Sequence, residues 1–269
     1  MNIFPTPTWL VGCGNMTGAM VEGWRGANVD LSPLTVIRPS GTPVEGIRTV
    51  RTAVEAGVPP KLVILGFKPQ QLADVAPSLA PYLSAKTIVL SLLAGADCAT
   101  LRRRFPGAAA IVRAMPNLPV AIRRGVVALY SADADEGVRN LISPLISQLG
   151  FGLWATDEAK FGAVGAVAGS GPAYVARFIG VLAKDGEKRG LDPDLALTIA
   201  IETVLGTAWL NASTREDPAE IARKVASPKG TTEAALAVLD SDDGLKALIG
   251  RAIDAAASRG SQLAAEVGA

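Results

Sequence analysis

Histidine is absent from all 269 residues of this chain, and cysteine occurs only at Cys13 and Cys98. Two cysteines cannot form a disulfide framework, and without histidine Cys13 lacks the usual partner that activates a thiol nucleophile. An excess of charge of one sign is also absent, since 26 basic residues face 25 acidic ones. This balance gives no reason to expect a nucleic acid or an anionic membrane as a partner.

Long uninterrupted apolar runs are scarce as well. The segment Met1–Pro7 lacks a basic region followed by a long apolar stretch, so no signal peptide is expected. Between Lys160 and Lys184 the only charge is Arg177, but Gly169-Ser170-Gly171-Pro172 interrupts the segment. A buried helix pair is therefore favoured over a membrane span. Because 49% of the residues are hydrophobic and 19% charged, we expect a cytoplasmic protein with a substantial core.

A glycine-rich turn is the most informative motif. Gly12-Cys13-Gly14-Asn15-Met16-Thr17-Gly18 follows the apolar run Thr8–Val11 and precedes a helical pattern. Glycine allows a sharp turn and close approach to phosphates, and the N–H groups at a helix start attract negative charge. A strand, a glycine turn and a helix together indicate a site for a dinucleotide pyrophosphate. Thr17 occupies the third glycine position, so helix–strand packing there must tolerate a β-branched residue.

The first half alternates short apolar runs with amphipathic stretches, which indicates a mostly parallel sheet with helices on both faces. Strands are predicted at 8–11, 34–37, 62–67, 87–93, 109–114, 126–130 and 151–155, and helices at 70–80, 97–105 and 135–149. After Asp157 only helices are predicted, at 158–168, 172–189, 193–211, 217–226, 231–240 and 243–266. The predicted fold is a doubly wound, Rossmann-type α/β domain over 1–157 and an all-helical domain over 158–269.

The helical half is so apolar that something must cover it. Alanine-rich helices such as 251–266 pack closely against other helices. We expect a homo-oligomer, at least a dimer, formed through this half, with a self-contained bundle as the alternative.

The residue that ends the second strand of a Rossmann unit separates the two nicotinamide cofactors. An acid there binds the ribose hydroxyls of NAD, whereas an arginine suits the 2′-phosphate of NADP. The strand here ends Val36-Ile37-Arg38-Pro39-Ser40, without an acid. The Arg38 guanidinium matches a phosphate, and Ser40 and Thr42 add hydroxyl donors. NADPH is the predicted cofactor, and NADH is the alternative.

A second anion site is predicted at the start of a late helix. Gly230-Thr231-Thr232 precedes Glu233, and free N–H groups at such an end can bind a carboxylate. The threonine hydroxyls add donors and acceptors. The alternative is an ordinary helix cap, which threonine also provides.

Further motifs follow the third, fourth and fifth predicted strands and open two of the helices. They are Val63-Ile64-Leu65-Gly66-Phe67-Lys68-Pro69-Gln70, Ser91-Leu92-Leu93-Ala94-Gly95, Arg113-Ala114-Met115-Pro116-Asn117-Leu118-Pro119, Gly169-Ser170-Gly171-Pro172-Ala173-Tyr174 and Ser227-Pro228-Lys229-Gly230-Thr231-Thr232. In this order and spacing the chain resembles the pyrroline-5-carboxylate reductases over essentially its whole length. The resemblance implies that NAD(P)H reduces the C=N bond of 1-pyrroline-5-carboxylate to L-proline, the last step of proline biosynthesis. It also implies a helical half that interlocks with a partner subunit.

The resemblance assigns residues to two ligands and none to a metal. With Arg38 and Ser40, the cofactor set is Gly12, Cys13, Gly14, Asn15, Met16, Phe67, Lys68, Pro69, Leu93, Ala94, Met115 and Asn117. The substrate set is Glu158, Lys224, Ser227, Gly230, Thr231 and Thr232. Of these, Thr232 would lie nearest the imine nitrogen and is the predicted catalytic residue.

Several positions depart from the family pattern. Gly162 and Gly165 replace an aspartate and a threonine, Lys229 replaces a glycine, and Lys224 replaces a neutral amide. These changes leave open a related reductase of another cyclic imine or a keto acid, in which Lys160 would be a candidate proton donor. A non-catalytic module that senses NADP is a third interpretation, but it would not need the loop 227–232.

The missing histidine bears on the type of reaction. Reduction of a ketone leaves an alkoxide that needs a positioned acid, often histidine. An imine is far more basic and can enter already protonated, so the enzyme mainly has to orient it. The composition is therefore compatible with imine reduction, although lysine can also act as an acid.

Overall fold

The structure is a computed structural model that describes residues 3–268, with side-chain positions through residue 265. Within these residues one eight-stranded sheet forms in the order β3-β2-β1-β4-β5-β6-β7-β8. Neighbouring strands are parallel except for the antiparallel pair β6–β7. The strands are β1 (Thr8–Val11), β2 (Leu34–Ile37), β3 (Arg48–Val50), β4 (Leu62–Leu65), β5 (Ile88–Ser91), β6 (Ala110–Pro116), β7 (Gly125–Tyr130) and β8 (Gly150–Trp154).

Helices connect the strands and then make up the C-terminal part. They are α1 (Asn15–Gly26), α2 (Ala53–Ala56), α3 (Leu72–Leu79), α4 (Cys98–Arg104), α5 (Glu136–Ser147), α6 (Glu158–Val164), α7 (Gly171–Lys188), α8 (Pro193–Thr214), α9 (Pro218–Val225), α10 (Thr231–Leu239) and α11 (Leu245–Gly268). The predicted fold class, a Rossmann-type sheet followed by helices, is confirmed. The patterns did not predict β3 or α2, because three or four half-exposed residues carry too little periodicity.

The sheet lies between two apolar layers because its central strands are buried on both faces, as parallel sheets require. Alternate residues of each strand face opposite cores. One core joins the strands to α1 and α5, and the other joins them to α3 and α4. On the first face the Trp24 indole N–H donates to the backbone oxygen of Leu145 at 2.8 Å, which fixes α1 against α5.

The chain divides into two compact units. The first unit runs to Ser170 and includes the chain again from Ala256, and the second comprises Gly171–Ala255. A π-helical stretch at Gly165–Gly169 follows α6 directly. The prediction that residues 169–172 interrupt the helical segment is therefore wrong, because a wider helical turn keeps the segment nearly continuous into α7.

The second unit buries few of its own side chains. Only Ala183 is buried in α7, and only Ala196 and Ala200 are buried in α8. Within one chain the predicted helix pair is mostly uncovered, because α7 and α8 cover one another only along narrow alanine faces, and its burial in an assembly stays a prediction. By length and composition alone, the helices Glu158–Lys188 and Pro193–Thr214 are apolar enough to cross a membrane.

Candidate active site

The glycine turn lies at the point where the strand order reverses. Strand β1 pairs with β2 on one side and with β4 on the other, and the turn follows its carboxyl end. Ligands of open α/β sheets bind at this point. Gly12 has φ +82°, and a Cβ added there would lie 3.0 Å from the carbonyl carbon of Gly66. Glycine is therefore required at this position by both the backbone conformation and the neighbouring chain.

Gly14 has a different role from Gly12. It is the N-cap of α1, and no side chain caps this end of the helix. A Cβ added at Gly14 would meet no protein atom within 4 Å. The open space and the uncapped N–H groups of the following turn form a positively polarised surface that suits a pyrophosphate.

The structure explains how Thr17 is accommodated at the third glycine position. Thr17 is buried, and a Cβ added at Gly66 would come within 2.2 Å of its methyl carbon. Gly66, in the loop that follows β4, thus supplies the glycine that helix–strand packing needs opposite Thr17. Sequence patterning within the turn alone could not reveal this compensation, because Gly66 is 49 residues away along the chain (66 − 17).

Burial disfavours the reactive thiolate form of both cysteines. Burial raises the pKa of the Cys13 thiol, and the charge of Arg38 acts in the opposite direction. Burial raises the pKa of the Cys98 thiol to about 11. Since the thiolate is the nucleophile, both side chains serve as small packing residues at neutral pH. The effect of Arg38 on Cys13 also places its charge close to the glycine turn.

Arg38 and Ser40 lie in the loop that follows β2, beside the turn. The backbone N–H of Gly12 donates to the Ile37 oxygen at 2.9 Å, which holds the turn against the end of β2. The Arg38 side chain is half-buried, and its Nη1 lies 3.5 Å from the Thr42 oxygen, a long approach for a hydrogen bond. The Thr42 hydroxyl donates to the Ser40 Oγ at 2.9 Å. The loop therefore presents a guanidinium and hydroxyl groups to solvent.

Two more predicted cofactor segments follow β4 and β5 at the same edge. Lys68 is exposed and begins a 3-10 turn at Pro69, while the side chain of Phe67 is half-buried. Leu93 is buried in the core and Ala94 is exposed. Because β1, β4 and β5 are parallel, their carboxyl ends place these loops beside the glycine turn.

The predicted cofactor residues Met115 and Asn117 are engaged inside the first unit. Asn117 Nδ2 donates to the Ala168 oxygen at 2.9 Å, and its Oδ1 accepts from the Val126 N–H at 2.8 Å. Met115 packs where a side chain of residue 165 would otherwise lie, since a Cβ added at Gly165 would be 2.4 Å from its Cε. Both residues therefore fix the π-helical stretch to the sheet, and their contact with a cofactor stays a prediction.

Glu158 forms an ion pair that sequence reasoning missed. Its Oε1 accepts from Arg113 Nη1 at 3.0 Å and from the Cys98 N–H at 3.3 Å. The Arg113 guanidinium also lies over the ring of Phe161, 4.5 Å from its centroid. Glu158 thus ties the start of α6 to β6 and to the start of α4. Arg113 opens the motif that follows the fifth predicted strand, but the spacing of that motif does not identify the acid with which Arg113 pairs.

Lys160, the proton donor of the alternative keto-acid interpretation, lies at the surface. Its side chain is 68% exposed and its Nζ donates to the Thr156 hydroxyl at 2.9 Å. It also lies 3.7 Å from the Asp157 carboxylate. The exposed position and these local contacts do not single out Lys160 as a catalytic group.

The predicted substrate loop has an open helix start in the second unit. Gly230 is the N-cap of α10, and no side chain caps this end. Thr232 is half-buried, and among the residues described neither Thr231 nor Thr232 has a hydrogen-bond partner for its hydroxyl. The loop itself is folded, because the Gly230 N–H donates to the Ser227 oxygen at 2.9 Å. These free groups suit a small carboxylate.

Two lysines of this region differ in their surroundings. Lys224 Nζ lies 2.6 Å from the Glu216 carboxylate, so its charge is already paired. Lys229 has φ +56°, in the left-handed region that favours glycine, and its N–H donates to Glu233 at 2.6 Å. The predicted contact of Lys224 with substrate stays a prediction, and it would have to compete with Glu216.

Comparison with known proteins identifies the family. A pyrroline-5-carboxylate reductase of Pseudomonas aeruginosa is 35% identical over 269 aligned positions, which cover 96% of this chain and 97% of that protein. The chain belongs to the pyrroline-5-carboxylate reductase family. A pyrroline-5-carboxylate reductase of Glycine max is 30% identical over 98% of this chain and 100% of its own length.

Solved structures of pyrroline-5-carboxylate reductases share the fold. That from Coxiella burnetii has a TM-score of 0.85 at 29% identity, covering 96% of this chain and 98% of that one. The Plasmodium falciparum pyrroline carboxylate reductase with NADP bound has a TM-score of 0.86 at 21% identity, covering 96% and 98%. Residues 158–263 match the family of pyrroline-5-carboxylate reductase dimerisation domains. This match indicates a homo-oligomer.

The structure also accounts for two of the family departures. Gly165 lacks a side chain where Met115 of this reductase-family chain fills the space. Lys229 adopts the left-handed conformation that a glycine would favour at its position. At Gly162 a Cβ would meet nothing within 4 Å, so packing does not explain that glycine.

Proposed function

We propose that this protein is an NADPH-dependent reductase that converts 1-pyrroline-5-carboxylate into L-proline. The observation that carries the proposal is similarity along the whole chain, at 35% identity, to the Pseudomonas aeruginosa pyrroline-5-carboxylate reductase. The geometry supports it because two uncapped helix starts, one in each unit, offer separate sites for two anionic ligands.

The glycine turn fits the cofactor. At Gly14 an added Cβ would project into open space, so the missing side chain leaves room for a ligand rather than for the protein. We assign the pyrophosphate to Gly12–Met16 and the 2′-phosphate to Arg38 and Ser40. The exposed Lys68 and Ala94, with Pro69, are assigned to the ribose and nicotinamide side of the site. When bound, NADPH supplies the hydride.

The substrate loop fits a cyclic imino acid. The N–H groups at the start of α10 donate to the carboxylate, and the hydroxyls of Thr231 and Thr232 add hydrogen bonds. A protonated imine needs no acid from the protein, because addition of hydride to its carbon gives the neutral amine directly. Thr232 is therefore assigned to orient the ring nitrogen. Glu158 keeps one carboxylate oxygen, Oε2, outside its pair with Arg113.

Assembly and location follow from the same assignment. We propose a dimer through the helical domain, with its boundary near Asp157, where the match to the dimerisation family begins. The apolar helices Glu158–Lys188 and Pro193–Thr214 would then be covered by a second copy rather than by lipid. The protein would work in the cytoplasm on a small molecule, without a metal, a nucleic acid or a membrane.

The direct test is oxidation of NADPH, followed spectroscopically, with pyrroline-5-carboxylate and a panel of other cyclic imines and keto acids. We expect the highest kcat/KM for pyrroline-5-carboxylate, with L-proline as the product. A tenfold preference for another imine or a keto acid would favour the related-reductase alternative, which the glycines at 162 and 165 motivated. Cofactor binding without turnover of any panel member would favour a sensing module.

The role of Thr232 is tested with T232A. We expect kcat to fall about 10-fold or more while the Kd for NADPH stays unchanged, because the side chain is assigned to the substrate. T198A is the matched control, since the Thr198 hydroxyl donates only to the Asp194 oxygen of its own helix, at 2.8 Å. Unchanged kcat together with a raised Kd for NADPH would contradict the assignment.

A further inference from the structure

A second arginine lies next to Arg38 at the edge of the sheet. Strands β2 and β3 are parallel with Ile37 opposite Val50, so the residues that follow them, Arg38 and Arg51, lie side by side. The Arg38 N–H donates to the Val50 oxygen at 3.0 Å, which extends the pairing to the end of both strands. Sequence reasoning missed Arg51 because it did not predict β3.

The Arg51 side chain lies over the loop that carries Ser40. A Cβ added at Gly41 would be 2.8 Å from Arg51 Nε and 3.5 Å from its Cζ. Gly41 also has φ +65°, a conformation that disfavours any other residue. The guanidinium thus occupies the place that a side chain at position 41 would take, between the two hydroxyl-bearing residues of the loop.

The charge of Arg51 is not used by the protein. Among the residues described, no acidic side chain lies within ion-pair distance of the guanidinium of Arg38 or Arg51. The nearby Glu55 is engaged elsewhere, since one oxygen accepts from the Arg51 backbone N–H at 3.1 Å and the other from the Thr52 hydroxyl at 3.2 Å. Arg48 is engaged too, because its guanidinium donates to the carbonyls of Glu55 and Ala56.

We propose that Arg51 is the second guanidinium of a 2′-phosphate site and determines, with Arg38, the preference for NADPH over NADH. The proposal rests on the proposed function, because it concerns the same cofactor. Two unpaired guanidinium groups at adjacent strand ends, with the Ser40 and Thr42 hydroxyls between them, match the several oxygens of a phosphate dianion. A ribose hydroxyl at that position would leave one guanidinium without a partner.

The test uses 2′,5′-ADP and 5′-AMP as probes, since they share adenosine 5′-phosphate and differ only in the 2′-phosphate. Calorimetric titration of the purified full-length protein gives both Kd values for the wild type, R51A and R51K. For R51A we expect the Kd of 2′,5′-ADP to rise about 10- to 100-fold, because a charge-assisted bond is lost, and that of 5′-AMP to stay within about twofold. R51K should fall between R51A and the wild type, because it keeps the charge without the fork.

R104A is the matched control, because it also removes one exposed positive charge from the first unit. Arg104 ends α4, which precedes β6, so it lies at the opposite, amino-terminal edge of the sheet. R104A should bind both probes as the wild type does. R38A serves as the positive control. The factor by which it raises the Kd of 2′,5′-ADP should lie within about tenfold of the factor for R51A.

The outcomes separate this proposal from the proposed function. Wild-type protein that prefers 2′,5′-ADP, combined with an R51A variant that retains the whole preference, would overturn the role of Arg51 alone. Equal weakening of every probe by R51A would overturn it as well, since that pattern indicates a general loss of the site. Equal turnover of the wild type with NADPH and NADH would instead contradict the assigned cofactor, whatever R51A does. Failure to reduce pyrroline-5-carboxylate would leave the probe titrations interpretable.

Discussion

The two units of this chain differ in how fully they bury their apolar residues within one chain. In the first unit every residue of β1, β2, β4 and β5 is buried, and helices on both faces supply the covering side chains. In the second unit α10 buries no residue at all, and Val181 and Leu205 are 60% and 57% exposed. A sheet covered by helices on both faces buries its apolar residues within one chain, whereas a set of helices with apolar residues on several faces leaves many of them exposed.

The difference shows where the second unit obtains its stability. Large exposed apolar patches mark interaction surfaces in soluble proteins. The match of residues 158–263 to a dimerisation family indicates a homo-oligomer, and in the proposed assembly a second copy covers these helical faces. We therefore expect the first unit to be stable within one chain and the second to depend on association.

The largest expected effect comes from charging the apolar helices. V181E/L205E places a carboxylate on an exposed face of both α7 and α8. Because an unpaired charge in an apolar interface is costly, the dimer dissociation constant should rise about 100-fold or more. Analytical ultracentrifugation over a wide concentration range measures this change.

V58E is the matched control for the charged helices. Val58 is 67% exposed in the first unit, outside the region matched by the dimerisation family. Its replacement should leave the dissociation constant unchanged. A monomeric wild-type protein at all concentrations, or equal effects of V58E and V181E/L205E, would mean that the exposed helical faces are not the interface.

Thiol labelling tests whether the first unit is closed on its own. Both cysteines lie in that unit, and burial raises the pKa of the Cys98 thiol to about 11. Near pH 8 the thiolate fraction, and with it alkylation of Cys98, should be roughly 100-fold lower than for an unfolded chain. The rate should keep rising with pH up to about pH 11, since the protonated form persists until then.

The same labelling in V181E/L205E tests whether the first unit keeps its fold when the helices of the second unit are charged. If the first unit is independently folded, Cys98 stays slow when the helical faces are charged. Mass spectrometry of alkylated peptides gives the rate for each cysteine separately. Cys98 that labels as fast as in urea, in a variant that is monomeric, would show that the first unit needs the second.

The same comparison explains what could be predicted from the sequence. The buried strands of the first unit are short continuous apolar runs, so their positions and the parallel sheet followed from the pattern. Likewise, proline and aspartate marked the starts of α8 and α9. The glycine turn could be placed at the right edge because strand order in such folds is constrained.

What the sequence did not predict depends on contacts between distant residues. The ion pair between Glu158 and Arg113 joins residues that are 45 apart in the sequence. Gly66, in the loop after β4, leaves the space that the side chain of Thr17 occupies. The side chain of Asn117 satisfies Ala168 and Val126. Periodicity describes which face a residue occupies, but it does not say which polar groups meet, and so the predicted site residues Glu158 and Asn117 turned out to have structural partners.

Gly12 and Gly14 distinguish a glycine needed by the fold from one needed by the ligand. G12A forces a side chain into φ +82° beside the Gly66 carbonyl, so the free energy of unfolding should fall by about 2 kcal/mol or more. G14A meets no atom within 4 Å, so its cost is limited to the poorer N-cap preference of alanine, and stability should fall by no more than about 1 kcal/mol. Its methyl group instead enters the pyrophosphate space and should weaken NADPH binding about 10-fold. Urea denaturation and fluorescence titration measure the two effects.

Equal losses of stability in G12A and G14A would contradict this distinction. An unchanged Kd for NADPH in G14A would remove the glycine turn from the cofactor site. Either result would weaken the view that the first unit combines a closed core with an open edge.

The smallest expected effect is in the second unit, where the same backbone conformation carries a side chain. Lys229 has φ +56°, and its N–H bond to Glu233 does not depend on the side chain. K229G should therefore relieve strain of about 1 kcal/mol, partly offset by the greater freedom of glycine in the unfolded chain, and raise stability by about 0.5 kcal/mol. K229A removes the same charge and keeps the strain, so it should not stabilise. If both variants stabilise equally, the charge of Lys229 is the cause, and the left-handed conformation costs less in this loosely covered unit than at Gly12.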